Sequence, residues 1–157
     1  MTLRESVAMV ERRPALDPAL ARRLGDVAAS RGLVVRETPF PAQVGLRVRP
    51  ASADALAIEA ALGAPLPGAD RVSSAAGRDI LWLGPDEWLV VGEAGAEREI
   101  ENLLRGAAGG RLAAVVDLSA NRTVIEIAGG RGREVLASCC HLDLHPRVFG
   151  PGQCAQT

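Results

Sequence analysis

Between Gln43 and Ala128 the sequence switches repeatedly between two periodicities, and that order restricts the fold more than any other feature. Gln43–Arg49 (QVGLRVR) alternates, with Val44, Leu46 and Val48 on one side and Arg47 and Arg49 on the other. That is the period-two signature of a half-buried strand, and Pro50 ends it. Ser52 can cap a helix through Leu62, a mostly apolar cylinder carrying Ala55, Leu56, Ile58 and Leu62. Gly63–Gly77 reads as a Pro/Gly-rich loop. Arg78–Leu83 (RDILWL) and Glu87–Gly92 (EWLVVG) flank Gly84-Pro85-Asp86 as a hairpin. Ala96–Arg105 is an amphipathic helix with Ile100, Leu103 and Leu104 inward, stopped by Gly106–Gly110. Leu112–Leu118 reads as a buried strand, and Thr123–Ala128 as another.

The order strand, helix, strand, strand, helix, strand predicts an α+β fold with a ferredoxin-like split βαβ (βαββαβ) arrangement over about residues 43–128. A partial second half, over about residues 113–157, follows as strand, short helix (Gly132–Cys140) and a possible strand from Gln153 to Thr157. The expectation is that the chain is truncated there, which would leave backbone groups of the last strand to be covered by something else. Ahead of this domain (33–157), residues 1–32 form a lead-in with one helix. In it Pro18 sits near the first turn, Leu20, Leu24 and Val27 follow at helical spacing, and Gly32 is the stop. Leu33–Glu37 is a short strand broken by Thr38-Pro-Phe-Pro41.

Composition narrows the chemistry. The chain is 48% hydrophobic and 24% charged, which suits a packed domain, and its net charge of −1 gives no electrostatic reason to expect nucleic acid or an anionic membrane. No apolar run approaches the roughly 20 residues that span a bilayer, and the N-terminus lacks the apolar core of a signal peptide. Three cysteines, two of them adjacent, fit a reducing cytoplasm better than a disulfide framework. There is no lysine, hence no P-loop lysine and no Schiff base, and no tyrosine for phenolic acid–base work.

All the cysteines and histidines fall between Cys139 and Cys154. Zinc would want spaced ligand pairs, whereas Cys139 and Cys140 are adjacent, and Pro146 argues against a helix that would align His141 with His145. The favoured reading is that Cys139 and Cys140 end a helix as small apolar residues. Ile127–Glu134 runs from a strand through glycines to a helix, a possible anion turn with Arg131 and Arg133. Val135 occupies the position where a dinucleotide fingerprint needs glycine, so a tight strand–helix turn is favoured. Asp86 and Glu87 sit at the hairpin tip, where solvated turn residues are expected, and Trp82 and Trp88 flank it as core residues. Asp117, Ser119, Asn121 and Arg122 make either a binding loop or a polar turn held by local backbone bonds.

Three motifs in order, GPDEWLVV (Gly84–Val91), DLSANRTVIEIAG (Asp117–Gly129) and CHLDLHPRVFGPGQCAQT (Cys140–Thr157), resemble the gamma subunit family of bacterial heterotetrameric sarcosine oxidase, over about residues 30–157. The resemblance implies a complex of alpha, beta, gamma and delta subunits. That complex demethylates sarcosine to glycine with molecular oxygen, releasing hydrogen peroxide and forming methylene-tetrahydrofolate. FAD, FMN and NAD are implied in the alpha and beta subunits and zinc in delta, with no cofactor on the gamma chain. The fold implied is similar to the folate-binding domain of the glycine-cleavage aminomethyltransferase. Asp117–Leu144 looks like the Asp-Val-Ser-His opening of that enzyme, but here it follows the Trp-Leu-Val-Val segment instead of preceding it. The Gly-Gly-containing acidic segment that carries its folate chemistry has no counterpart.

The function expected is therefore a non-catalytic, cytoplasmic structural subunit held against the flavin-bearing beta or alpha chain. The rivals are a stand-alone folate-binding one-carbon transfer domain and a small zinc or redox module. Phe40, Arg47, Arg49, His145, Arg147 and Phe149 are the expected interface residues, because aromatic residues and arginine are enriched at interfaces.

Overall fold

A computed structural model of the chain describes residues 12–109 and 112–157. Its elements are α1 (Pro18–Ala29), β1 (Val34–Thr38), β2 (Ala42–Arg47), α2 (Ala53–Leu62), β3 (Val72–Ala75), β4 (Arg78–Gly84), β5 (Glu87–Gly92), α3 (Glu97–Ala108), β6 (Ala114–Asp117), β7 (Val124–Ala128) and α4 (Gly132–Ala137). They form a mixed α+β structure with two antiparallel sheets: a five-stranded sheet in the order β3-β4-β5-β2-β6 and a two-stranded ribbon of β1 and β7.

The alternation in β2 sets up the large sheet. Val44 lies opposite Val90, and Leu46 lies between Trp88 of β5 and Val115 of β6. Residues directly opposite in an antiparallel pair share a face, so these side chains make one apolar layer. Helices α2 and α3 pack side by side and bring Ile58, Leu62, Ile100 and Leu104 to the same core. Val44, Leu46, Ile58, Leu62, Ile80, Val90, Ile100 and Leu104 are fully buried. Each such side chain stabilises by about 1.5–3 kcal/mol relative to exposure. Arg47 and Arg49, on the opposite side of the alternation from Val48, are exposed.

Local signals start and stop the elements. The Ser52 hydroxyl accepts a hydrogen bond from the Ala55 amide at 3.1 Å, and Gly63 closes α2 in the left-handed conformation. Asp17 caps α1 through the amides of Ala19 and Leu20. The β4–β5 hairpin turns at Pro85-Asp86, and its ladder slips by one residue between Trp82 and Gly84. Gly45 leaves room for Leu118, whose Cδ1 would lie 2.9 Å from a Cβ there and would have to shift.

Five expectations need correction. The strand expected to be buried over Leu112–Leu118 is β6, an edge strand in which Val115 alone is buried, because nothing pairs with its outer side or covers its second face among the described residues. The loop expected over Gly63–Gly77 contains β3, an edge strand of short side chains paired to β4. The strand expected from Gln153 is reduced to one antiparallel bridge between Arg71 and Gln153, supported by Val72 N–H to Gly152 O and Cys154 N–H to Asp70 O. The helix expected over Gly132–Cys140 ends at Ala137, where the Ser138 hydroxyl bonds back to the Val135 carbonyl. Finally β7 leaves the large sheet and pairs with β1, with Val34 opposite Ala128 and Thr38 opposite Val124. Gly129, at φ +108°, ends that ribbon, and a Cβ there would lie 2.5 Å from the Gly32 carbonyl oxygen. Only glycine tolerates both the angle and the approach.

Candidate functional site

The cysteines do not form one centre. Cys139 and Cys140 follow the end of α4, and Cys154 lies beside β4; all three are free thiols. Cys154 donates its S–H to the carbonyls of Arg71 (3.2 Å) and Trp82 (3.3 Å). Burial, helped by the Asp70 carboxylate, pushes that thiol above its ordinary range, the opposite of what a nucleophile needs. Among the described residues no three His, Cys, Asp or Glu side chains converge to hold a metal ion.

His145 organises the local backbone. His145 Nδ1 accepts from the Arg147 amide at 3.2 Å, and Asp143 Oδ1 accepts from the His145 amide at 2.9 Å. Arg133 donates to the carbonyls of Leu144 (2.8 Å) and Phe149 (2.7 Å), while Arg131 pairs with Glu134 at 3.0 Å. Both arginines of the glycine-rich turn are therefore occupied by protein groups. The turn itself is a tight strand–helix connection, with Gly132 N–H bonded to Gly129 O.

The hairpin tip is equally occupied. Asp86 pairs with Arg47 at 3.3 Å, and its carbonyl accepts from the Val48 amide. Trp88 is 3% exposed and its Nε1–H donates to the Pro67 carbonyl at 2.9 Å, which makes it a core residue; Trp82 is half-buried directly opposite it.

The Asp117–Arg122 loop is a polar joint. Asp117 Oδ1 accepts from both the hydroxyl and the amide of Ser119, and those bonds, with Arg12 nearby, hold its carboxyl below the usual range. The Ser119 hydroxyl also accepts from the backbone N–H of Gln43, whose own polar side chain is buried at 2% exposure. Glu37 makes a second joint. Partial desolvation would raise its pKa, but donation from the Leu16 and Ala15 amides and the Thr123 hydroxyl prevails and lowers it. These two joints connect the lead-in, β1, β2 and β7.

The six expected interface residues fall in three clefts and one exposed turn. Arg47 and Arg49 line a cleft of ≈ 520 Å³ with Asp86 and Leu112. Phe40, in the left-handed backbone conformation at φ 55°, lines another of ≈ 320 Å³ with Arg12, Arg13 and Arg122. Phe149 lines a third of ≈ 360 Å³. His145 and Arg147 are exposed on the turn leading to it.

One surface was not singled out in the sequence. Leu20, Leu24 and Val27 of α1 are 40–56% exposed, while Val34 of β1 (50%) and Ile125 of β7 (39%) stand on opposite faces of the ribbon. The Leu20/Leu24/Val27 spacing was visible, but nothing in the sequence said that this stripe would stay exposed among the described residues. Beside it, an apolar groove of ≈ 390 Å³ runs between α1 and β1, lined by Leu16, Pro18, Ala21 and Val35.

Comparison with known proteins gives a consistent result. The family model described as "Sarcosine oxidase, gamma subunit family" matches residues 47–157. The chain is 42% identical over 158 residues to a sarcosine oxidase subunit gamma from Arthrobacter sp, covering 99% of this chain and 75% of that one. It is 39% identical over 150 residues to the corresponding subunit from Corynebacterium sp. strain U-96, covering 94% and 72%. Among solved structures it matches a chain of the heterotetrameric sarcosine oxidase from Corynebacterium sp. U-96 in complex with pyrrole 2-carboxylate. There the TM-score is 0.76, with 36% identity over 87% of this chain and 73% of the other.

Proposed function

The chain belongs to the sarcosine oxidase, gamma subunit family, and we propose that it serves as a supporting subunit of a heterotetrameric sarcosine oxidase, with no residue of its own in the chemical step. The carrying observation is the likeness over 87% of the chain, at a TM-score of 0.76, to a chain of a solved heterotetramer of that name. The occupied state of its polar groups supports the same reading. Cys154, Asp117, Glu37, Arg131 and Arg133 are all spent on internal bonds.

The proposed partner is the flavin-bearing alpha or beta subunit, in the cytoplasm. FAD, FMN, NAD and zinc would reside in the partner chains. The exposed apolar stripe of α1 (Leu20, Leu24 and Val27), with Phe40 and the arginines at the clefts, is the surface suited to docking. Within the fold we read the order β6-β2-β5-β4 and the two helices on one face as the split βαβ ferredoxin-like arrangement with β3 added at its edge. In the same reading, residues 1–32 are a lead-in clipped to a 33–157 domain through Glu37.

Co-expression with the alpha, beta and delta subunits tests this. Purification through a tag on this chain should recover all four with a visible flavin spectrum and sarcosine-dependent peroxide formation. Elution of this chain alone and colourless, or turnover by it alone that a single substitution abolishes, would overturn the proposal. Binding of tetrahydrofolate to the isolated chain would favour a one-carbon transfer domain instead.

A further inference from the structure

The closing segment, from Leu142 to Gln156, forms one wall of the ≈ 360 Å³ cleft, and Asp70 and Trp82 form the other. That volume lies within the range of sites that hold a small group. Trp82 and Phe149 supply aromatic surface, Asp70 and Asp143 supply carboxylates, and no basic side chain lines it. In a chain with 18 arginines this is a marked local imbalance. Four other clefts among the described residues, including one beside Arg78, each have at least one arginine in the wall. The Asp70 charge is felt inside, since it adds to the upward push on the Cys154 thiol. Neither aspartate belongs to an ion pair among the described residues.

The walls are built rather than loose. Arg133 pins the carbonyls of Leu144 and Phe149, and Gln153 Oε1 accepts from the Gly150 amide. Cys154 ties the segment to Asp70 through its amide and to Arg71 and Trp82 through its thiol. A preorganised pocket with two carboxylates and two aromatic side chains attracts an organic cation through charge pairing and cation–π contact. A free amino acid is a poor match, because its own carboxylate would meet two aspartates and no base. A cation at the end of an apolar stem fits, with Leu142 and Val148 beside the stem.

We propose that this cleft receives the arginine or lysine side chain of a neighbouring subunit. The inference rests on the docking reading above and adds a specific anchor to it.

The test is a titration of the full chain with methylguanidinium, followed by the indole N–H resonance of Trp82, assigned with Trp82→Phe. Asp70→Asn and Asp143→Asn remove the charges while sparing the fold. Asparagine tolerates the left-handed backbone at position 70 (φ 58°), and its oxygen can still accept the His145 amide at position 143. The expected result is saturable binding in the millimolar range that weakens at least tenfold in the double variant. In the assembled heterotetramer the same resonance should no longer respond, because the partner's side chain fills the cleft. No response in the free chain, or an equal response in the double variant, would overturn the site. A response that persists in the heterotetramer would overturn the partner side chain as occupant and leave a free small amine. Failure of the four chains to assemble would count against the docking reading and leave the free-chain result standing.

Discussion

The five-stranded sheet and the β1–β7 ribbon are built from the same kinds of residue, yet they end up with very different interiors. The sheet has helices α2 and α3 on one face and a continuous set of fully buried aliphatic side chains. The ribbon has two strands, and of α1 only Ala28 is buried. An isolated pair of strands is marginal in water, and this one adds to its ladder the packing of α1 on β1, the Arg36–Glu126 pair at 2.7 Å, the Glu37 clamp and the close approach at Gly129. The large sheet is a self-sufficient core, whereas the ribbon presents apolar surface that a second protein can complete.

Four experiments sharpen or break that contrast. Leu104→Ala should cost the most, about 3 kcal/mol or more, because it opens a cavity among fully buried neighbours; urea unfolding of the free chain would register it as a lower midpoint. An equal loss from truncating ribbon side chains would erase the distinction. Gly129→Ala should cost about 2 kcal/mol, through a forbidden angle and a clash with the Gly32 carbonyl. Its signature in hydrogen exchange is loss of protection across β1 and β7 while β2 and β5 stay protected.

Leu20→Ser combined with Leu24→Ser should change the stability of the free chain by less than about 0.5 kcal/mol per site, since both are at least 40% exposed. The same pair should weaken assembly with the other subunits at least tenfold, read as loss of co-purification at low concentration. The smallest effect belongs to Glu37. Its carboxyl titrates lower in the folded chain than in the unfolded one, so its contribution is present above the unfolded value and is lost as pH falls through the lower folded value. Glu37→Gln should flatten that acid limb in the exchange of Ala15 and Leu16 amides and leave neutral-pH stability of the sheet unchanged.

Much of the large sheet was legible from local pattern. The β2 alternation, the Ser52 cap and the Gly84-Pro85-Asp86 turn each carry their own physical signal, and each sits where expected. The strand β3 was not legible because Val72-Ser-Ser-Ala has one large apolar residue and lies after a Pro/Gly-rich stretch. Its strand character comes from pairing with β4, a tertiary effect. The β1–β7 pairing is likewise invisible to any window of sequence, as is the covering, or lack of it, over Leu20 and Leu24. At the candidate sites, residue types suggested chemistry, but only geometry could reveal that Arg133 is tied to two carbonyls and Cys154 to two more.

The partners Arg36 and Glu126 are 90 residues apart in the chain. During synthesis β1 therefore leaves the ribosome long before its complement exists, an interval of roughly 5–20 s at ordinary elongation rates. Strands β2 to β5 can pair in that time, so β1 waits beside a growing sheet with a bare edge that a chaperone, or a waiting subunit, would encounter.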